Sequence, residues 1–329
     1  MANTMHVLVT GAAGMIGRKL VERLTREKSL NGNAIGQLIL FDVVPVQAPQ
    51  GLQAIIKTAD LSSPGVAQEL IELRPDVIFH LAGIVSGEAE TDFDKGYRVN
   101  LDGTRNLLEA IRKIGDGYKP KVIYTSSIAV FGAPFPDSIP DDFHLTPLTS
   151  YGAQKVVGET LLADYTRRGF LNGVGIRLPG ITVRPGKPNQ AASGFYSGII
   201  REPLSGQEAM LPVTDDTTNT HASPRAAAGF LVHGASLSPE QLGPRINLTM
   251  PGVCCTVGEQ IAALARVAGD RVVARIRREP DEFIMRIVAG WPSRFDALRA
   301  RELGFTAENS FDEIIRIHIE DDLGGDFVR

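Results

Sequence analysis

The sequence has few of the features that mark secreted, membrane or nucleic-acid-binding proteins. Its only two cysteines are the neighbours Cys254 and Cys255, and adjacent residues rarely have the geometry of a relaxed disulfide. Apolar runs are short, so we expect neither a transmembrane span nor a signal peptide. The net charge of −4 gives no electrostatic footprint for nucleic acid. These absences predict a cytoplasmic protein with reduced thiols that binds neither membranes nor nucleic acid.

Histidines and cysteines at metal-ligand spacing are also lacking. The six histidines are scattered, as His6, His80, His144, His221, His233 and His318. We therefore expect no metal site. What remains is an ordinary globular composition, 43% hydrophobic and 22% charged, in a chain long enough for one large or two modest domains.

A strand-forming segment, residues 7–10, leads into a glycine-rich turn and then into a helical pattern. The turn and the first helical residues are Gly11, Gly14, Met15, Ile16 and Gly17. The first glycine lets the chain turn sharply, the second lets backbone approach a pyrophosphate, and the third lets the helix pack closely on the strand. The helix N-terminus then offers N–H groups to phosphates. The segment predicts a dinucleotide site, although a glycine-rich loop can also be an ordinary turn.

An acidic residue at the end of the next predicted strand completes this pattern. Asp42 follows Leu-Ile-Leu-Phe, somewhat further from Gly17 than the usual distance of about 20 residues. A carboxylate at this point accepts from both ribose hydroxyls of adenosine and repels a 2′-phosphate. Val43 and Val44 follow, with no arginine to bind a phosphate, so we predict NAD rather than NADP. A solvated aspartate at a strand end is the alternative.

Strands and helices alternate as far as about residue 180. This alternation predicts an α/β fold with a doubly wound parallel sheet, a Rossmann fold. Beyond that point the pattern loosens into loops and shorter elements. We predict an NAD-binding domain over residues 1–182 and a smaller C-terminal domain over 183–329 that mainly binds substrate, with a return to the first domain around 223–250.

Tyr151 and Lys155 are four residues apart in a predicted helix, so they lie on one face, one turn from each other. An ammonium there favours ionisation of the phenol, whose pKa is ordinarily about 10, and a phenolate is a good general base. Ser126 and Ser127 end a predicted parallel strand, where ligands bind in such sheets, and one of them can orient a substrate hydroxyl. A solvated helix pair is the alternative for Tyr151 and Lys155. His80, in another strand, is expected to be a satisfied core residue.

Together these motifs resemble those of the extended short-chain dehydrogenases/reductases, over nearly the whole chain. The motifs are Gly11-x-x-Gly14-x-x-Gly17, Asp60-Leu61, His80-Leu-Ala-Gly83, Ser127-x-x-Val130-Phe131-Gly132, Tyr151-x-x-x-Lys155 and the segment 299–305. The resemblance implies that Tyr151 is the catalytic acid/base, that Lys155 holds the nicotinamide ribose and lowers the pKa of Tyr151, and that Ser127 orients the substrate. It also implies that the adenine and ribose sites are lined by Asp60, Leu61, Leu81, Ala82 and Asn100. A homodimer through helices near residues 100–115 and 151–168 is implied as well.

Other segments are similar to dehydrogenases of that family which oxidise the C2 hydroxyl of a four-carbon sugar acid with NAD. These segments are 85–90, 149–155, 184–189, 197–203 and 222–225. They imply a small anionic substrate, whose carboxylate needs cationic donors such as Arg184, Lys187 or Arg225. The predicted substrate contacts are Ser86, Ser127, Tyr151, Lys187, Asn189 and Arg225.

Two other functions remain open at this point. A nucleotide-sugar epimerase or dehydratase uses the same scaffold, but it needs a large pocket, and the region from 184 to 221 is short for that. A non-catalytic NAD-sensing protein also fits the fold, but it does not need Tyr151, Lys155 and Ser127 together.

Overall fold

The computed structural model describes residues 4–186 and 193–328. The chain divides into two compact units. Unit 1 comprises Met1–Val130, Pro147–Leu178 and Ala228–Thr249, and unit 2 comprises Phe131–Thr146, Pro179–Ala227 and Met250–Arg329. The division differs from the predicted one in the segment Phe131–Thr146, which belongs to unit 2 although it lies within the predicted first domain.

In chain order, the strands are β1 (Met5–Thr10), β2 (Ser29–Leu30), β3 (Asn33–Asp42), β4 (Ala54–Thr58), β5 (Val77–His80), β6 (Lys121–Ser127), β7 (Asn172–Leu178), β8 (Gly180–Ile181), β9 (Ala209–Leu211), β10 (Thr218–Ala222), β11 (Asn247–Thr249), β12 (Val253–Thr256) and β13 (Ile276–Arg278). The helices are α1 (Met15–Glu27), α2 (Val66–Glu72), α3 (Ser86–Thr91), α4 (Phe93–Gly96), α5 (Gly103–Ile114), α6 (Ser150–Arg167), α7 (Gly194–Leu204), α8 (Pro224–Ser236), α9 (Pro239–Leu242), α10 (Val257–Ala268), α11 (Asp270–Val273), α12 (Glu282–Ala289), α13 (Leu298–Glu302) and α14 (Phe311–Asp322). A π-helical turn, Tyr97–Asp102, joins α4 to α5, and a 3₁₀ turn, Ile128–Val130, follows β6.

Unit 1 is built on an eight-stranded sheet in the order β11-β7-β6-β5-β1-β3-β2, with β4 also paired to β3. Every pairing is parallel except that of β2 with β3. The central strands are apolar and fully buried, as at Val7, Leu8, Ile78 and Phe79, which is expected of a sheet covered on both faces. The predicted parallel α/β sheet is confirmed. β1 lies between β3 and β5, so the chain leaves β1 at the point where ligands bind in such sheets.

Unit 2 contains a three-stranded sheet, β12-β10-β8, and a two-stranded parallel pair, β9 with β13. Its core is formed by apolar side chains that include Tyr196, Ile199, Ile200, Leu264 and Ile314. A capping box is present at the start of α10: the Thr256 hydroxyl accepts from the Glu259 amide at 3.1 Å, and the Glu259 carboxylate accepts from the Thr256 amide at 2.7 Å. Within the described ranges, no helix is both long enough and apolar enough to cross a bilayer.

The helical stretch that contains Asn100 starts at Phe93, because the Asp92 carboxylate accepts from the Lys95 amide at 3.0 Å and caps α4. Asn100 lies inside the π-helical turn and is buried. Its amide is therefore directed at neighbouring segments rather than at a helix end.

Candidate active site

The loop after β1 needs glycine at two positions. Gly11 has φ +74°, and a Cβ there would lie 2.7 Å from the Ala82 nitrogen. A Cβ at Gly17 would lie 2.1 Å from the Gly11 carbonyl oxygen, so this glycine lets α1 pack on the loop itself rather than on the strand. Gly14 precedes α1 with no side chain capping the helix. Met15 and Ile16 form the first turn, so the helix N-terminus has backbone N–H groups and space for an anionic group.

Asp42 ends β3 beside this loop. Its carboxylate accepts from the backbone amides of Ala13 at 2.9 Å and Val44 at 3.2 Å. Val43 and Val44 are exposed. The carboxylate is thus oriented next to the glycine loop, which is the arrangement that recognition of an adenosine ribose requires.

The other predicted cofactor residues follow strands of the same sheet. Asp60 accepts from the Ser62 amide at 2.9 Å and the Ser62 hydroxyl at 2.6 Å, and it forms an ion pair with Arg98. Burial raises the pKa of Asp60, but these hydrogen bonds and the Arg98 charge lower it below its usual value. Leu61 is buried, and Ala82 donates from its amide to the Thr10 hydroxyl at 3.3 Å, just after Leu81. Sequence reasoning did not single out Arg98.

His80 is a core residue, as expected. Its Nδ1 bonds with the Thr10 hydroxyl at 2.8 Å and its Nε2 with the Thr104 hydroxyl at 2.9 Å. Burial, with a smaller contribution from the Lys155 charge, lowers the pKa of His80 to about 3. The imidazole is therefore neutral at physiological pH and fully engaged.

α6 brings Tyr151 and Lys155 together. The helix starts where the Thr149 hydroxyl accepts from the Gly152 amide at 3.0 Å. The Lys155 Nζ lies 5.6 Å from the centre of the Tyr151 ring and donates to the Thr125 carbonyl at 2.8 Å. Burial lowers the pKa of Lys155 to about 8, against the opposing effect of the Glu159 carboxylate. Near neutral pH the phenol is therefore next to an ammonium group.

The two serines at the end of β6 have different environments. Ser126 is buried and donates to the Glu159 carboxylate at 2.6 Å. Ser127 is half-buried, and its Oγ accepts from the Ala129 amide at 3.2 Å. Because the Ser126 hydroxyl is used inside the core, Ser127 remains the candidate for orienting a substrate, in agreement with the motif-based choice.

A buried ion pair behind Lys155 was missed by sequence reasoning. Glu159, one turn after Lys155, accepts from Arg177 Nε at 2.9 Å and Nη2 at 2.8 Å. The two side chains are 1% and 8% exposed. The available signal was an acidic residue at helical spacing from Tyr151 and Lys155, on the face that they share.

Asn100 is close to Lys155. A Cβ at Gly83 would lie 2.9 Å from Asn100 Oδ1 and 3.8 Å from Lys155 Nζ. The segment after β5, the π-helical turn and α6 therefore converge at one point in unit 1. The predicted cofactor residue Asn100 and the predicted catalytic residue Lys155 meet there.

The predicted substrate contacts differ in whether they are described and in whether they are already paired. Lys187 and Asn189 lie outside the described residues. Ser86 is exposed at the start of α3. Arg225 is engaged in ion pairs with Asp321 and, at 2.8 Å, with Glu320, so its pairing gives no support to the prediction that it holds the substrate carboxylate.

Arg184, the third candidate cation, also bonds within unit 2. Its Nε donates to the Ile181 carbonyl at 2.9 Å and its Nη2 to the Ser193 hydroxyl at 3.1 Å. Residues 4–186 and 193–328 contain no group of three or more histidine, cysteine or acidic side chains that could hold a metal ion.

Comparison with known proteins places this geometry in context. The family model of the NAD dependent epimerase/dehydratase family matches residues 7–220. A D-erythronate dehydrogenase from Cupriavidus necator is 48% identical over 96% of this chain and 98% of its own length. A D-erythronate dehydrogenase from Haemophilus influenzae is 40% identical over 97% of this chain and 100% of its own length. Among solved structures, a nucleoside-diphosphate-sugar epimerase from Agrobacterium tumefaciens is 62% identical, with a TM-score of 0.96 over 98% of this chain and 95% of that one.

Proposed function

Because the chain belongs to the NAD dependent epimerase/dehydratase family, we propose that it is an NAD-dependent dehydrogenase that oxidises the C2 hydroxyl of a small sugar acid. The preferred substrate is D-erythronate, which gives 2-oxo-D-erythronate. Two relatives that match over nearly their full length carry that activity in their names. The observation that carries the proposal is the Lys155 ammonium 5.6 Å from the Tyr151 ring at the end of a parallel sheet.

The NAD site is supported by the loop after β1. Gly11 and Gly17 allow the close backbone approaches that shape this loop, and no side chain caps the N-terminus of α1, where a pyrophosphate binds in this proposal. In this proposal the Asp42 carboxylate, which accepts from the Ala13 amide of the loop, also accepts from the adenosine ribose and disfavours the 2′-phosphate of NADP. Asp60, Leu61, Leu81, Ala82 and Asn100 line the adenine and ribose sites in this proposal. When bound, NAD supplies the acceptor for the hydride that leaves C2.

Tyr151, Ser127 and Lys155 together remove the proton of the C2 hydroxyl in this proposal. The Tyr151 phenolate takes the proton of the C2 hydroxyl as the carbonyl forms. Ser127 donates a hydrogen bond to the same substrate oxygen and holds it against Tyr151. Lys155, tied to the Thr125 carbonyl, contacts the nicotinamide ribose and keeps a positive charge beside the phenolate.

Substrate contacts, assembly and location belong to the same proposal. Ser86, Lys187 and Asn189 are the contacts that we retain for the acid. We infer a homodimer through α5 and α6, where Val157 on α6 is an exposed apolar residue. We also infer a cytoplasmic location, which suits the free thiols of Cys254 and Cys255.

One observation favours a second candidate, a nucleotide-sugar epimerase. The Agrobacterium tumefaciens protein, at 62% identity, carries that description. One assay separates the two functions, since only net oxidation accumulates NADH. Purified protein with NAD and D-erythronate should produce NADH, whereas UDP-sugars should be left unchanged. Conversion of a nucleotide sugar without net NADH, and no reaction with four-carbon acids, would establish the epimerase instead.

A further inference from the structure

Gln154 lies next to Lys155 in α6 and is completely buried. Its Oε1 accepts a hydrogen bond from Asn100 Nδ2 at 2.7 Å. Its Nε2 has no hydrogen-bond partner within the described ranges. A Cβ at Gly96 would lie 2.7 Å from that Nε2, so the amide is tightly confined. Gln154 therefore has one polar contact, and that contact is with Asn100.

Asn100 also forms hydrogen bonds with the segment after β5. Its Oδ1 accepts from the Ile84 amide at 2.8 Å, and its Nδ2 also donates to the Ile84 carbonyl at 3.3 Å. Both polar backbone groups of Ile84 are thus held by one side chain. The π-helical turn directs Asn100 inward, and such turns recur at functional sites.

The same segment is attached to α6 at its other end. Glu90, in α3, accepts from the Ser150 amide at 3.0 Å. Ser150 and Gln154 lie on either side of Tyr151 in the sequence, so residues 84–90 are tied to α6 at two points around the catalytic tyrosine. Ser86, the retained substrate contact, lies between these points.

We propose that Gln154 is a positioning residue that acts through Asn100 to fix Ile84–Ser86 relative to Tyr151. An apolar side chain of the same size would fill the space but could not accept from Asn100. Loss of the acceptor frees the Asn100 amide to rotate, so the Ile84 backbone loses its clamp and Ser86 moves. The inference rests on the proposed function through the role of Ser86. A contact made equally to substrate and transition state affects KM and leaves kcat unchanged.

The test is Gln154→Met in the full chain, followed by hydrogen–deuterium exchange and steady-state kinetics. Because Nε2 has no partner, methionine removes only the bond from Asn100. We expect the amides of Ile84–Ser86 to exchange about fivefold faster, as the loss of one hydrogen bond predicts. Amides of β6 should be unaffected. The KM for D-erythronate should rise by a similar factor, while kcat and the Kd for NADH stay unchanged.

Gln260→Met is the matched control. Gln260 is a buried glutamine of unit 2 that bonds His221 at 2.8 Å, and its Oε1 has no partner among the residues that the structure describes. Its replacement should leave exchange at Ile84–Ser86 unchanged. Glu90→Ala, at an exposed position, releases the other end of the segment and should speed exchange in α3 even if Gln154→Met does not fold.

Three results bear on the inference in distinct ways. Unchanged exchange and unchanged KM in Gln154→Met would overturn it. A joint fall in kcat, NADH affinity and thermal stability would also overturn it, because that pattern marks a purely structural residue. If the wild type does not oxidise D-erythronate, the proposed function fails, and the exchange measurement still decides whether Gln154 fixes the segment.

Discussion

Each unit contains an arginine that is paired with acidic side chains, and the two pairs differ in burial. Arg177 in unit 1 is 8% exposed and bonds both carboxylate oxygens of Glu159, at 2.9 and 2.8 Å. Arg225 in unit 2 is 44% exposed and pairs with Glu320 and Asp321. The first pair has been removed from water and is joined by two hydrogen bonds, whereas the second is screened by solvent.

This contrast shows that the charge of a side chain does not by itself indicate a role in the candidate site. The sequence prediction gave Arg225 a role in binding the substrate and gave Glu159 and Arg177 none. The structure has the buried pair one turn beyond Lys155, and the exposed arginine already engaged with its own chain. Burial and neighbouring groups, rather than the type of charge, therefore distinguish the pair one turn beyond Lys155 from the exposed pair of unit 2.

The largest effect tests whether the cluster on α6 is the chemical one. Tyr151→Phe removes the proton acceptor while keeping the ring beside Lys155, so kcat should fall by about 10³-fold. NADH affinity and thermal stability should be unchanged. The measurement is the initial rate of NADH formation, with an NADH titration as the binding control. An unchanged rate would show that NADH formation does not use this tyrosine and that the cluster on α6 is not the chemical one.

The next effect tests the cost of burial. Glu159→Ala removes the carboxylate that accepts two hydrogen bonds from the buried Arg177 guanidinium, so the free energy of unfolding should fall by about 3–5 kcal/mol. Urea denaturation measures it. The double variant Glu159→Leu/Arg177→Met, which leaves no isolated charge, should lose less. If Glu159→Ala lowered the free energy of unfolding only as little as is expected for a surface pair, burial would not distinguish the Arg177 pair from the Arg225 pair.

Two buried imidazoles give the third case. Burial, assisted by nearby cations, lowers the pKa of His80 in unit 1 and of His221 in unit 2 from 6.5 to about 3. Between these pH values the unfolded chain binds protons that the native chain does not, so stability should fall as the pH is lowered from 6.5 towards 3. Each histidine contributes about 1.4 kcal/mol per pH unit. Urea denaturation at several pH values from 7 to 4.5 gives the free energy of unfolding as a function of pH. This free energy should fall less steeply with decreasing pH in His221→Gln than in the wild type. An equal dependence on pH would contradict the lowered pKa of His221.

The smallest effect belongs to the exposed pair. Arg225→Ala should lower the free energy of unfolding by less than about 1 kcal/mol, because its partners are solvated. The KM for D-erythronate should stay the same, since the guanidinium is already paired within unit 2. A clear rise in KM, with kcat unaffected, would restore Arg225 as a substrate contact and weaken the contrast between the clusters.

Local patterns account for what the sequence could predict. The glycine loop, Asp42 and the Tyr151–Lys155 pair each lie within one element or at its end, so strand and helix periodicity is enough to place them.

Partners brought together by the fold could not be predicted in the same way. Glu159 meets Arg177 through the packing of α6 on β7, and Arg225 meets Asp321 nearly one hundred residues later in the chain. The sequence around each arginine does not predict which carboxylate will be its partner. The segment Phe131–Thr146 was predicted within the first domain but belongs to unit 2, and an irregular loop carries no periodicity that indicates what it packs against.

The chain passes between its two units five times, and this has a consequence for biosynthesis. The outermost strand of the large sheet, β11, is made about seventy residues after its neighbour β7. Until Thr249 leaves the ribosome, β7 is an open edge that can pair with other nascent chains. A truncated product ending at residue 182 retains Ser127, Tyr151 and Lys155 but keeps that edge open permanently. We expect it to aggregate rather than to bind NAD.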